Sequence, residues 1–184
     1  MPSQQHISGK TYLRLALLVG SLFCMLSLST YAQTTDSDLR TKAELETANK
    51  ALVRRWLSEL WHAGDYTVAA ELLAGDFKRH SAGHPAAGPE AYAAIVKSCH
   101  DGFPDTDISM VGELLADGDR VFVRWRWTGT HTGEFRGVAP TGRPIDVLGE
   151  DVIRIQNGQI TDIWPLFDPL RLMLQIGAIE KTAP

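Results

Sequence analysis

The chain has 184 residues, of which 44% are hydrophobic and 22% charged, and its formal net charge is −4. This length fits a single domain, and this composition is ordinary for a soluble globule. The acidic balance argues against nucleic acid and anionic membrane surfaces as partners, because both attract positively charged proteins.

The first 32 residues have the layout of a secretory signal peptide. Lys10 and Arg14 precede an apolar run over residues 15–28, and small residues follow up to Ala32. The run is shorter than the roughly 20 residues that a membrane-crossing helix needs, so an uncleaved anchor is the less favoured alternative. We therefore expect cleavage after Ala32 and a periplasmic or secreted protein.

The sequence after Ala32 indicates a flexible segment over residues 33–40 and a single domain over residues 41–180. Loss of Lys10 and Arg14 leaves 16 basic against 22 acidic residues, a net charge of −6. Cys99 is then the one remaining cysteine, so an internal disulfide is not possible, and stability depends on the hydrophobic core.

Three helices are predicted first. Thr41 and Glu44 form a capping-box pattern, and apolar residues then recur at steps of three and four until Gly64, which predicts an amphipathic helix. A shorter helix is expected over residues 67–73. The third starts at Gly88-Pro89 and places Cys99 on its apolar face, so this thiol is expected in the core.

Alternating strands follow the helices. Asp117-Gly118 and Asn157-Gly158 each separate two β-rich runs, and such dipeptides are strong signals for two-residue hairpins. Four long strands in an antiparallel meander, with the helices packed on one face, predict an α+β fold.

Asp168 ends the run "IWPLFD", which is otherwise apolar and aromatic. Strand alternation places it on one face with Ile160, Trp164 and Leu166, provided that Pro165 inserts no bulge. An ionised carboxylate in an apolar site costs several kcal/mol unless it is paired. Asp168 is therefore interpreted either as a pocket residue or as the N-cap of a final helix that starts at Pro169.

The preceding strand has two different faces. Glu150 shares one with Arg154, whereas Asp151 shares the other, more apolar face with Ile153 and Ile155. This pattern favours a solvated Arg154 over one in a pocket. In the strand before it, Trp125 and Trp127 share a face, which indicates core or cavity wall.

No metal or cofactor motif is recognised. His80 and His84 are four residues apart, but Gly83 and Pro85 forbid the helix that would bring them together on a metal. His80 ends a short strand-like segment and is interpreted either as a cavity residue or as a surface histidine. Phosphate-binding and dinucleotide-binding glycine loops and the G-x-S-x-G motif do not occur.

The chain resembles the SnoaL-like polyketide cyclases (ester cyclases) of the NTF2-like superfamily. The motifs that carry the resemblance are Phe103-Pro104-Asp105, Gly118-Asp119-Arg120-Val121, Gly129-Thr130-His131-Thr132-Gly133, Pro140-Thr141-Gly142, Asn157-Gly158-Gln159-Ile160, and Asp168 with Gln175-Ile176-Gly177. The resemblance implies a cone-shaped α+β barrel in which a curved sheet wraps the first helix around an apolar pocket. It also implies that Asp168 matches the acid/base residue of an intramolecular aldol step that needs neither metal nor cofactor. The family's pocket histidine corresponds to Arg154 here.

Together these observations predict an exported, cofactor-free enzyme that transfers a proton on a small apolar carbonyl or ester compound. Its candidate catalytic residues are Asp168, Arg154 and His80. The candidate substrate-binding residues are Trp125, Trp164, Glu150 and Trp56. The alternatives are a non-catalytic carrier of an apolar molecule and an interaction module that uses the open sheet face, and the resemblance also implies a homodimer.

Overall fold

The computed structural model describes residues 37–81 and 83–180, and the chain divides into two compact units at Leu45. In the first unit, residues 37–44 are helical, and Arg40 pairs with Glu44. The Thr41 hydroxyl donates to the carbonyl oxygen of Ser37 at 3.0 Å, so Thr41 lies inside a helical turn and the predicted capping box is wrong. The predicted signal peptide and part of the 33–40 segment lie outside the described residues.

The second unit begins with helix α1, which covers residues 45–55 and continues as a π-helix over Trp56–His62. The Ala63 amide donates to the Ser58 carbonyl oxygen, five residues back, as the wider π turn requires. Trp56 and Leu60 are buried as predicted, together with Leu57, whereas Leu45 is 48% exposed, so the amphipathic helix is confirmed over its second half. The wider turn presents Trp56, Leu57 and Trp61 to the interior of the unit.

Short elements connect α1 to the sheet. A 3-10 turn, Tyr66–Val68, leads into α2, Ala69–Leu72, and then into strand β1, Leu73–Arg79. Strand β2, Ala86–Ala87, precedes helix α3, Pro89–Gly102, which has Pro89 in its first turn as predicted.

The sheet is completed by five strands and followed by one helix. They are β3, Asp107–Met110; β4, Leu115–Asp117; β5, Arg120–Thr130; β6, Pro144–Gln156; β7, Gln159–Phe167; and α4, Pro169–Gln175. The strand order is β2-β1-β7-β6-β5-β3, with β4 also paired to β5. The β1–β7 pairing is parallel and was not predicted, whereas the other pairings are antiparallel.

The predicted hairpins form. Asn157 and Gly158 have φ of +52° and +77° between paired Gln156 and Gln159, as a type I′ turn requires. The turn residues of the β4–β5 hairpin are Gly118 and Asp119, one position later than the expected Asp117-Gly118, because Asp117 pairs with Arg120.

The inner face of the curved sheet carries the core. On β6, Ile145, Val147, Asp151, Ile153 and Ile155 are all buried, in the predicted alternation. Helices packed on a curved mixed sheet confirm the α+β, NTF2-like fold. In the described part of the chain, none of the helices is long and apolar enough to cross a membrane.

Candidate active site

An apolar pocket lies on the inner face of the sheet, between the π turn of α1, helix α3 and strands β5 to β7. Its wall is largely aromatic, formed by Trp56, Trp61, Tyr92, Trp125, Trp127 and Phe167. A water molecule can place its centre anywhere within about 50 Å³ of this pocket. The side chains around this space therefore set what it can bind.

Asp151 is the carboxylate of this pocket. Its residue surface is only 4% exposed, and it comes from β6, where its neighbours on the same face are Gly149 and Ile153. The Trp125 indole Nε1 donates to Oδ2 of Asp151 at 3.0 Å. Oδ1 has no hydrogen-bond partner among the described residues. A buried polar atom without a partner costs about 1–3 kcal/mol, so this oxygen is available to a ligand.

Burial raises the pKa of Asp151 from 3.8 to about 7, although the Trp125 hydrogen bond and the positive charge of Arg79 both act to lower it. The ionised form is disfavoured because the apolar wall removes the hydration of the charge. Asp151 therefore exchanges its proton near neutral pH, where acid/base catalysis is most efficient.

Gly149 explains how Trp125 reaches Asp151. Gly149 and Trp125 face each other across the β5–β6 pairing, and a Cβ atom at position 149 would overlap the Trp125 indole ring. The missing side chain lets the ring lie over β6, so that its Nε1 meets the carboxylate two residues further along. In the sequence, Gly149 appears as a glycine inside a strand, which indicates that another group approaches the backbone closely at this position.

Tyr92 and Trp56 supply hydrogen-bond donors to the same pocket. The Trp61 indole donates to the Tyr92 hydroxyl oxygen at 3.1 Å, and burial followed by the charge of Asp151 raises the Tyr92 pKa well above its ordinary value. Tyr92 therefore keeps its proton. The Trp56 indole stacks on Tyr92 at 6.5 Å between ring centroids. The Trp56 Nε1 has only a weak lowering effect on the Tyr92 pKa. It makes no hydrogen bond of normal geometry within the described chain.

Cys99 also lines the pocket from α3, in the buried position that the sequence predicts. Burial raises the pKa of its thiol to about 11, so the reactive thiolate is scarce at neutral pH. This agrees with the interpretation of Cys99 as a core residue.

Asp168 does not face the pocket. Its side chain is exposed, and Oδ1 accepts a hydrogen bond from the backbone N–H of Arg171 at 2.9 Å, as the N-cap of α4. The expected enclosed position is therefore wrong, and the alternative interpretation as a cap is confirmed. Its predicted catalytic role stays a prediction without support from its position.

A bulge explains the error in strand alternation. Arg154 pairs with Asp162 and Ile155 with Ile160, which leaves Thr161 as an extra residue in β7. One inserted residue reverses which face the following side chains occupy. Ile160 stays inside, whereas Trp164 and Leu166 turn to the outer face. The shift lies before Asp162, not at Pro165.

Three other predicted site residues also lie outside the pocket. Arg154 donates to Asp119 Oδ2 at 2.9 Å, which confirms the solvated interpretation. His80 stacks on Trp164 at 4.6 Å and pairs with Asp162 at 2.8 Å on the outer face. Glu150 pairs with Arg124 at 3.4 Å.

Of the seven predicted site residues, the structure thus places Trp125 and Trp56 on the pocket wall. Asp151 is not among the predicted site residues, although the sequence contains a signal that it is buried. It is a lone carboxylate that alternates with Val and Ile on the more apolar face of its strand. This alternation is strong evidence that Asp151 is buried. Because burial of a carboxylate is energetically costly, a buried carboxylate indicates a specific role.

A family model for SnoaL-like polyketide cyclases matches residues 51–176, more than half of the chain. The chain belongs to the SnoaL-like polyketide cyclase family. The matched range contains the whole pocket of this SnoaL-like chain, including Asp151 and the aromatic wall.

Solved structures agree with this assignment. A candidate SnoaL-like polyketide cyclase from Jannaschia sp. CCS1 is 29% identical, with 74% of this chain and 96% of that chain covered and a TM-score of 0.68. IdmH, a candidate polyketide cyclase from Streptomyces antibioticus, is 28% identical over 70% of this chain and 98% of its own, with a TM-score of 0.59.

AclR, a candidate hydroxylase from Streptomyces galilaeus, is 22% identical over 75% of this chain and 86% of its own. With a TM-score of 0.66, it shows that the SnoaL-like chain shares its fold. No curated protein matches the chain.

Proposed function

We propose that this protein is a cyclase-type enzyme that transfers a proton on a small apolar carbonyl or ester compound, with Asp151 as its acid/base residue. The observation that carries the proposal is a buried carboxylate with one oxygen held by Trp125 and the other unpaired in an aromatic pocket. Membership of a cyclase family supports the same class of reaction.

The proposed reaction is an intramolecular aldol step. Oδ1 of ionised Asp151 takes a proton from the carbon next to a carbonyl group, which leaves an enolate. The enolate carbon attacks a second carbonyl carbon of the same molecule, a C–C bond forms, and the new alkoxide takes the proton back from Asp151. Atoms and electrons balance within substrate and protein, so the step needs no cofactor.

Each pocket residue has a distinct part in this proposal. A carboxylate with a pKa near 7 is a stronger base than one at 3.8, and its acid form returns the proton at the same pH. The Tyr92 O–H remains protonated and suits the developing enolate oxygen. Trp125 is a positioning residue, because it fixes the orientation of Asp151.

Exchange of the methyl protons of acetophenone for deuterium, followed by ¹H NMR in D₂O, tests this proposal without knowledge of the substrate. The wild-type protein should accelerate the exchange, and Asp151→Asn should return it to the buffer rate. Asp168→Asn is the matched control, since asparagine also caps helices, and it should keep the wild-type rate. Loss of exchange in Asp168→Asn with full exchange in Asp151→Asn would contradict the proposal.

The second candidate function is a carrier that binds an apolar molecule without changing it. The unpaired Oδ1 of Asp151 would then orient a ligand hydroxyl group, and the fold by itself does not decide between the two. Wild-type exchange at the buffer rate, together with a chemically unchanged ligand in native mass spectrometry, would favour the carrier.

Export and self-association are part of the same proposal. The apolar run before Ala32 supports a cleaved signal, which N-terminal sequencing of the exported protein would test. Leu148 and Leu166 are 45% and 70% exposed on the outer sheet face, which supports a homodimer through this face. Light scattering would measure the dimer.

A further inference from the structure

Two guanidinium groups line the pocket that contains Asp151. Arg79 comes from the end of β1, and its Nη1 donates to the carbonyl oxygen of His84. Arg136 occupies a tight turn between paired Phe135 and Val138, and its Cζ lies 4.9 Å from the Phe135 ring centroid. Arg136 and Gly137 have φ of +52° and +80°, as a type I′ turn requires, and Arg136 at this turn lines the pocket.

Neither arginine has a carboxylate partner within 4 Å in the described part of the chain. Arg124, Arg126 and Arg154 on the outer face are different, because each pairs with an acidic side chain. The structure also contains no ion pair between Asp151 and either pocket arginine, as far as the described residues extend. The two positive charges are therefore not neutralised by the carboxylate of the pocket.

Both arginines line the same pocket, so their positive charges act on each other and on nearby groups. Arg136 is exposed as a whole residue, but partial burial of its guanidinium group lowers its pKa, and the charge of Arg79 lowers it further against the opposing effect of Cys99. Burial is also the main reason that the pKa of His84 is lowered, and the charges of Arg136 and Arg79 add to it, so His84 is neutral at neutral pH. Two like charges on the wall of one apolar pocket are costly without a counterion, and an anion would relieve that cost.

We propose that Arg79 and Arg136 bind a carboxylate group of the ligand, so that the pocket accepts flat apolar carbonyl compounds that carry a carboxylate at one end. Guanidinium groups match the planar carboxylate with paired N–H donors. The aromatic wall then covers the apolar body, and the carbonyl end meets Oδ1 of Asp151. This inference deepens the proposed function, because it names the substrate class of the same pocket.

Binding of trans-cinnamate and of its neutral counterpart trans-cinnamamide tests the proposal on the full chain. Both are flat and apolar, and they differ in charge. Trp56, Trp61 and Trp125 line the pocket, so intrinsic fluorescence reports binding directly. The wild type should bind cinnamate at least about tenfold more tightly than cinnamamide, a difference of about 1.4 kcal/mol.

Arg79→Gln and Arg136→Gln should each remove most of that preference and leave the affinity for cinnamamide unchanged. Arg126→Gln, which removes a paired arginine from the outer face, is the control and should keep the preference. Because Arg136 makes no backbone hydrogen bond through its side chain in the described structure, its variant keeps the test valid if Arg79→Gln fails to fold. Equal affinity of the two probes, or no binding of either at millimolar concentration, would overturn the proposal.

Asp151→Asn separates this inference from the proposed function. The arginines remain in that variant, so it should still prefer cinnamate although proton exchange is lost. If Asp151→Asn keeps proton exchange and the arginine variants lose cinnamate binding, the proposed chemistry fails and the anion site stands.

Discussion

Replacing Asp151 by asparagine should remove a pH-dependent loss of stability. The pKa of Asp151 is about 7 in the folded protein and 3.8 as its ordinary value. Between these two values the folded state holds a proton that the unfolded state has released. The stability that this proton contributes is fully present below pH 3.8 and is lost as the pH rises through 7.

The difference of roughly three pKa units corresponds to about 4 kcal/mol, at about 1.4 kcal/mol per unit. Roughly 2 to 3 kcal/mol of it is expected between pH 5 and pH 8. Asparagine carries no charge at any of these values, and its side-chain oxygen accepts the same hydrogen bond from Trp125. The variant should therefore gain stability relative to the wild type as the pH rises.

Urea denaturation at a series of pH values between 5 and 8 measures this difference directly, because groups that titrate equally in both proteins cancel. Asp168→Asn removes an exposed carboxylate and controls for the loss of one negative charge. A difference between wild type and Asp151→Asn that stays flat over this range would refute the raised pKa, and with it the argument for acid/base chemistry at neutral pH.

Three further substitutions test the local geometry. Asp168→Ala removes the hydrogen bond to the Arg171 N–H and should cost about 1 kcal/mol in urea denaturation, with acetophenone exchange unchanged; a loss of exchange would contradict the assignment of Asp168 as a cap. Trp125→Phe removes the hydrogen bond that lowers the pKa of Asp151, so ¹³C NMR should find that pKa above 7, and a lower value would refute the positioning role. Gly149→Ala should displace the Trp125 ring and raise the pKa of Asp151, at a cost of roughly 1–3 kcal/mol in stability. An unchanged stability and an unchanged Asp151 pKa would show that the ring has room to move.

Local patterns in the sequence predicted much of the fold. The helix at Pro89, the hairpin at Asn157-Gly158 and the alternation on β6 depend on residues that are neighbours in the chain. The parallel pairing of β1 with β7 joins segments about 80 residues apart, and nothing local encodes it. The π turn at Trp56 likewise has no recognised sequence signal, although it shapes one wall of the pocket.

The site was harder to predict because one extra residue in β7 changed which side chains face the pocket. The bulge at Thr161 turned Trp164 outward, and Asp168 follows on the exposed end of the same strand. The N-cap alternative for Asp168 was correct, since the Pro169 that follows it favours the first turn of a helix. Asp151 would have been found from its uninterrupted apolar face, because β6 has no bulge before position 154.

The central claim is that the carboxyl group of Asp151 is buried and titrates near neutral pH. A ¹³C NMR titration of the aspartate carboxyl carbons, with the Asp151 signal assigned by its absence in Asp151→Asn, measures this pKa directly. The structure predicts a midpoint close to 7. A midpoint near the ordinary value of 3.8 would contradict the account.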